Sequence, residues 1–218
     1  MNATTISTPK AFRFTSSLGL LLGVLTVLIA SLAYAIVQPG FSIFNTYLSD
    51  IGDTPGWPQI VFNSGTLLAV PLRYAVLILV VLRLRGFRER NGTFEAIFLT
   101  LGALTTFGTV LMTAVPFSVA PAVHKSGIGL YFLGVVFLQT MLGVRQLSMK
   151  GLPRVLPALS FSIVASYLIF FILLILYESG IVGRTTPVFW EWMCFFTSML
   201  WLLGHGIVLG KEDAGDQG

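Results

Sequence analysis

Cysteine, histidine and charge are all scarce in this chain, and each scarcity excludes something. A single cysteine, Cys194, stands among 218 residues, so neither an intrachain disulfide framework nor a cysteine zinc cluster can form. The two histidines, His124 and His205, are far apart in sequence. On the threading derived below they fall on opposite sides of a membrane, which gives no support to a three-histidine zinc hydrolase or a haem held between them. Charged residues make up 10% of the chain, against about 25% in a soluble domain. Every lysine is in a loop or tail, which excludes a retinal Schiff base. No Walker loop, G-x-S-x-G elbow or H-E-x-x-H occurs. No polar stretch is long enough to bury a core of its own, so one bundle is expected.

What the chain has in quantity is apolar surface: 55% of residues are hydrophobic and the mean hydropathy is +0.87. Six runs approach the roughly 20 apolar residues that cross a bilayer as a helix: 14–37, 58–82, 95–115, 123–144, 157–177 and 189–209. Stretches such as "FFILLILY" do not alternate, so a barrel is excluded and helices follow. The first run follows Lys10 and Arg13 and contains "AYA", as a signal peptide would, but its apolar core is too long for one. The expected fold class is therefore an all-α membrane protein, a six-helix transmembrane bundle. The layout is an N-terminal tail (1–13), a transmembrane domain (14–209) and a polar tail (210–218).

The net charge of +4 does not indicate nucleic acid here, because the basic residues lie in short connections between apolar runs. The loop "RLRGFRER" holds Arg83, Arg85, Arg88 and Arg90. The fourth connection holds Arg145, Lys150 and Arg154, and the tails hold Lys10, Arg13 and Lys211. The alternate connections hold none, Lys125 and Arg184. The positive-inside bias predicts both termini in the cytoplasm, and a plasma-membrane location is expected. Trp57, Trp190 and Trp192 then fall at the outer interface, where indoles prefer to lie. Asn91-Gly-Thr matches a glycosylation pattern but falls on the cytoplasmic side.

The longest connection, 38–57, is on the outer side. Phe41, Phe44, Tyr47, Leu48 and Ile51 share one helical face, and Ser42, Asn45, Thr46 and Ser49 share the other, which predicts a short amphipathic helix lying apolar face down in the interface. Asp50 and Asp53 have two readings. They are turn and dipole partners for the start of the second span, or they line an outward-facing polar pocket with Ser49, Asn63, His124, Glu178 and Glu191.

Arg73 is the one strong charge deep in an apolar run. It is expected to face the bundle interior, and intramembrane charges are expensive. Thr105, Thr109 and Thr113 form a hydroxyl stripe. With the Leu67 carbonyl released by Pro71, these are its candidate acceptors, while Glu178 and Glu191 lie too shallow to pair with it. Either Arg73 is interior glue or it serves a substrate, ion or lipid phosphate. Asn63, Thr66 and Arg73 fall within about 80° on one face, and Thr66, Arg73, Thr105 and Thr109 form the candidate intramembrane site. Gly19-x-x-x-Gly23, and Ser162 with Ser166, predict close helix packing.

The block "YLSDIGDTPGWPQIVFNSG", the His124 that opens the fourth span and the six-helix layout resemble the prokaryotic domain of unknown function 998 membrane family. The "SD-x-G" loop before a phenylalanine-rich second span is similar, less closely, to the Frag1/DRAM/Sfk1 group. That second resemblance implies a link to lipid or GPI-anchor remodelling for some members, and the first implies no activity. Together they single out Ser49, Asp50, Gly52, Asn63 and His124.

Three functions fit: a non-enzymatic protein that binds membrane lipid or a protein partner in the membrane; an enzyme acting on lipid headgroups with Asp50 or Asp53 and His124 as base or ligands; and a small-solute transporter with Arg73 in the path. The last lacks an inverted repeat. No cofactor or metal is expected. A cysteine placed at position 53 in a Cys194→Ser background should react with a membrane-impermeant maleimide in intact cells. Labelling only after lysis would invert the threading.

Overall fold

The computed structural model describes residues 7–211; the outer parts of both expected tails, 1–6 and 212–218, lie outside the described residues. The elements are α1 (Thr8–Val37), α2 (Leu48–Asp53), α3 (Trp57–Leu84), α4 (Gly92–Ala114), α5 (Pro121–Leu147), α6 (Val155–Glu178) and α7 (Thr185–Leu209). All but α2 are long and apolar enough to cross a membrane, and no strand occurs among the described residues.

The helices outrun the apolar stretches that mark them. Helix α1 starts at Thr8 rather than near 14, with Pro9 in its first turn, where the missing N–H is one the helix does not use. Phe12, in what was expected to be tail, is fully buried. Asn91 caps α4: its side chain accepts the Phe94 N–H at 2.9 Å. The sequence pattern of a glycosylation site is here a helix N-cap.

Each long helix packs on its neighbour in sequence, and α7 returns to α1, so the six form a closed ring. Short connections make neighbours antiparallel. The ring therefore has an α2 end and an opposite, arginine-rich end. Large apolar side chains such as Leu21, Leu68, Phe137 and Ile172 point outward, as lipid-facing positions should. Glycine sets the closest approach, between α4 and α5. A Cβ on Gly127 would lie 2.6 Å from the Met112 amide nitrogen, and one on Gly108 would lie 2.6 Å from that of Tyr131. Gly19 and Gly23 face Leu202 and Met199 of α7, so this pair does admit a neighbouring helix. Ser162 does not: it is exposed, while Ser166 is buried and bonds Thr197 at 2.9 Å.

The expected interfacial helix is shorter and placed differently. Residues 43–45 form a turn, 46 and 47 are irregular, and the helix spans only Leu48–Asp53. The Asn45 side chain accepts the Ser42 N–H at 3.0 Å and donates to the Gly40 carbonyl at 2.9 Å, and Ser42 Oγ accepts the Phe44 N–H. These local bonds compete with helix formation. The apolar side of α2 faces the bundle rather than lipid: Ile51 is fully buried, with Leu48 and Tyr47 nearly so. Trp192 is likewise no membrane-surface anchor. It is buried, and its indole N–H donates to the Thr46 carbonyl at 2.9 Å. Trp57, by contrast, is exposed.

Gly127→Ala should destabilise the protein by about 1–3 kcal/mol through overpacking at the α4–α5 contact. Gly129→Ala, with nothing near its Cβ position, should be neutral or stabilising. Thermal unfolding of both variants in detergent checks this; equal shifts would contradict the packing.

Candidate functional site: an axial cavity capped by α2

On α3, residues from Leu72 round to Asn63 face the ring interior. By the 100° helical step, Arg73 stands near the middle of that arc. The other five spans turn a face to the same space, so it is an axial cavity of about 530 Å³. Its walls are mainly apolar and aromatic, including Phe62, Phe132, Phe170, Leu174 and Phe195.

Helix α2 lies across one end of this cavity, and its residues from Leu48 to Asp53, apart from Ile51, line the cavity with Tyr47. It is fastened on every side. Asp50 accepts the Tyr47 N–H at 2.9 Å and pairs with Arg184 at 2.5 Å. The Arg184 guanidinium also stands over the Tyr47 ring. Glu191 of α7 accepts the Leu48 N–H at 2.5 Å. Asn63 of α3 donates to the Gly52 carbonyl at 3.0 Å. Asp53 accepts the Ser118 hydroxyl at 2.9 Å, from the α4–α5 connection. The first N–H groups of a helix lack internal acceptors, so Asp50 and Glu191 satisfy what a six-residue helix leaves open. His124 is tied to that same α4–α5 connection, its Nδ1 donating to the Val115 carbonyl at 2.9 Å, with Phe117 edge-on to its ring.

Several polar groups facing the cavity have no partner. Tyr47 Oη and Gln139 Oε1 are buried without a hydrogen bond. Burial, working against the pull of Arg184, pushes the Tyr47 phenol up to about 12, so it stays a donor. Arg73 makes no hydrogen bond or ion pair among the described residues. The Leu67 carbonyl and the threonine stripe do not serve it. Thr105 and Thr109 donate to carbonyls of their own helix, those of Leu101 and Thr105, at 2.7 and 3.1 Å. An arginine at the middle of a span costs about 2.5–3.5 kcal/mol on insertion scales, and here no protein acceptor offsets it.

Elsewhere in the bundle several buried polar groups complete one another, although Ser31 Oγ and Arg145 Nε have no partner. At the arginine-rich end His205 is fully buried. Its Nδ1 lies 3.0 Å from the Trp201 carbonyl and its Nε2 2.9 Å from Gln146 Nε2. A carbonyl only accepts and an amide nitrogen only donates, so the ring is neutral with its proton on Nδ1. Trp201 donates in turn to Ser160. Midway, Tyr131 and Tyr167 share a hydrogen bond of 2.7 Å. Glu95 holds Arg85 in two bonds of 3.0 and 2.7 Å.

Of the candidate outer pocket, Ser49, Asp50, Asp53, Asn63, His124 and Glu191 line the cavity; Glu178 is exposed at the end of α6 and does not. Thr66, Arg73, Thr105 and Thr109 all line it. Pocket and intramembrane site are thus two depths of one cavity. Gln139 was missed, although an amide in the run "YFLGVVFLQTML" is a visible signal. Tyr47 as a cavity group and the Tyr131–Tyr167 pair carry no comparable signal, since they depend on which helices become neighbours.

The sequence profile of the Frag1/DRAM/Sfk1/Cwh43P N-terminal domain matches residues 15–203, which takes in the whole cavity lining. The chain belongs to this family. The likeness to the domain of unknown function 998 family has no such match beside it. No curated protein and no solved structure matches the chain significantly. In this family member the profile and the ring nearly coincide: the domain is the cavity and its cap.

Glu191→Ala should leave the Leu48 N–H unpaired at a cost of about 1–3 kcal/mol, with a lower Tm and faster hydrogen exchange at 46–53. Glu191→Gln keeps an acceptor and should lose less. Unchanged exchange in both variants would show that α2 is held without this bond.

Proposed function

We propose that this is a multipass lipid-binding membrane protein with no catalytic chemistry of its own, taking an amphiphile from the bilayer into the axial cavity. The observation that carries this reading is the cavity itself. Its volume of about 530 Å³ is within the range of about 300–1,000 Å³ usual for ligand sites, which are mostly apolar with a few placed polar groups. Here the walls are mainly apolar and aromatic, and the polar groups without protein partners include Tyr47, Gln139 and Arg73. That combination matches a chain with a polar group on it. It agrees with the lipid chemistry that the resemblance implies. On the alternation of arginine-rich connections we read the α2 end as facing outward at the plasma membrane.

The other readings have less behind them. An enzyme at the α2 end needs a base free to act. Asp50, Asp53 and one nitrogen of His124 are instead engaged in holding α2 and the α4–α5 connection. A transporter would use a path to Arg73, which the cavity offers, but aromatic and aliphatic walls suit an acyl chain better than a hydrated solute.

Native mass spectrometry from lipid nanodiscs tests this. The wild-type protein should retain lipid through detergent exchange, and Val135→Trp or Ser198→Phe, which fill the cavity, should lose most of it while the fold survives. Equal retention in filled and unfilled proteins would place the lipid on the outer surface and remove the proposal.

A further inference from the structure

We infer that the ligand of the axial cavity is an anionic single-chain amphiphile, a carboxylate or phosphate on an apolar chain, seated with its charged end at the depth of Arg73 and its chain running back toward α2. This rests on the lipid-binding reading and specifies its chemistry.

Arg73 lies on the cavity-facing arc of α3 and has no acceptor among the described residues. Among the groups lining the cavity it stands apart in depth from the acids. Counting from the α2 end at 1.5 Å per residue, Arg73 is about 24 Å along α3, and Glu191 is about 9 Å along α7. Asp50 and Asp53 lie on α2 itself. All three acids are engaged at the cap, so none neutralises Arg73.

Gln139 supplies the second observation. It is 6% exposed, lines the cavity and has an unpartnered amide oxygen. It stands about 27 Å along α5 from the same end, within about one helical turn of Arg73 in depth. An amide also has two N–H donors. A guanidinium with five donors and such an amide, at similar depth on the wall of one cavity, can hold an oxyanion between them. The Gln139 oxygen then accepts from the guanidinium or from a protonated head.

Orientation follows from the charges. An anion held near α2 would face Asp50, Asp53 and Glu191; one held at Arg73 is about 15 Å or more from them in depth. Between the two depths the walls carry Phe62, Phe132, Phe170 and Phe195, which suits the chain. A neutral amphiphile would offer Arg73 hydroxyl or carbonyl acceptors but no opposing charge, and a zwitterionic one would bring its own cation in with the phosphate.

Delipidated protein in a non-ionic detergent, titrated with four chains of equal length, tests the inference: palmitate, palmitoyl lysophosphatidate, monopalmitoylglycerol and palmitoyl lysophosphatidylcholine. At least one of the two anions should bind about tenfold or more tighter than the neutral and zwitterionic chains; which anion prevails distinguishes a fatty acid from a lysophosphate. Arg73→Leu should abolish that preference and leave monopalmitoylglycerol binding unchanged, and Arg73→Lys should keep most of it. Should the leucine variant fail to fold, Gln139→Leu should weaken anion binding several-fold on the same readout. Equal binding of all four chains would overturn the anionic assignment while leaving lipid binding intact. A uniform loss across all four in Arg73→Leu would also overturn it. Binding of none would remove both proposals.

Discussion

Inside a bilayer no water stands ready to satisfy a polar group, so each buried donor and acceptor must find its partner within the protein. That constraint organises this molecule from end to end. Backbone groups close on themselves in six long helices. The six-residue α2 has too few internal bonds to satisfy its own ends, and it borrows acceptors and donors from Asp50, Glu191 and Asn63. At the arginine-rich end His205, Gln146, Ser160 and Trp201 complete one another. Ser31 Oγ and Arg145 Nε are also buried without a partner; Arg73, the Tyr47 hydroxyl and the Gln139 oxygen differ from these in facing one cavity, and it is that shared space which gives them functional meaning.

The capped ring explains why the scarce acids gather where they do. They serve α2. Asp50 pairs with Arg184 beside the Tyr47 ring, Glu191 receives the first turn of α2, and Asp53 reaches the α4–α5 connection. The cap is thereby joined to α3, to α7 and to the connection beyond α4. The cavity beneath is closed at that end by bonded backbone rather than by packing alone. The two proposed layers of the site follow: a bonded acidic cap and an unsatisfied basic group near mid-membrane, with aromatic walls between them.

Much of the fold was legible because bilayer thickness writes directly into sequence. Long runs without alternation mark the spans, and Arg73 is conspicuous in any window that contains it. Faces were legible too: the 100° step placed Asn63, Thr66 and Arg73 together, and all three line the cavity. What escaped depends on neighbours that the chain does not announce. The pattern in 41–51 has helical period, yet Asn45 and Ser42 turn the backbone first, and the helix begins only at Leu48. Glu178 lies at the α2 end of α6, as expected, but is exposed and does not line the cavity. Gly108 and Gly127 meet only because α4 and α5 are adjacent. Ser162, read as a packing position, is on the exposed face. The bonds expected for Arg73 were chemically reasonable. They do not form: the Thr105 and Thr109 hydroxyls donate within α4, none of the stripe accepts from the guanidinium, and Arg73 opens onto the cavity instead.

The central claim is that Arg73 faces an occupied cavity rather than protein acceptors. An experimental map of the protein in lipid nanodiscs, detailed enough to place side chains, tests it most directly. The account predicts elongated density along the ring axis, ending against the Arg73 guanidinium. Helices α3, α4 and α5 drawn together with Arg73 bonded to the Leu67 carbonyl or to Thr105, or a cavity holding water alone, would contradict it.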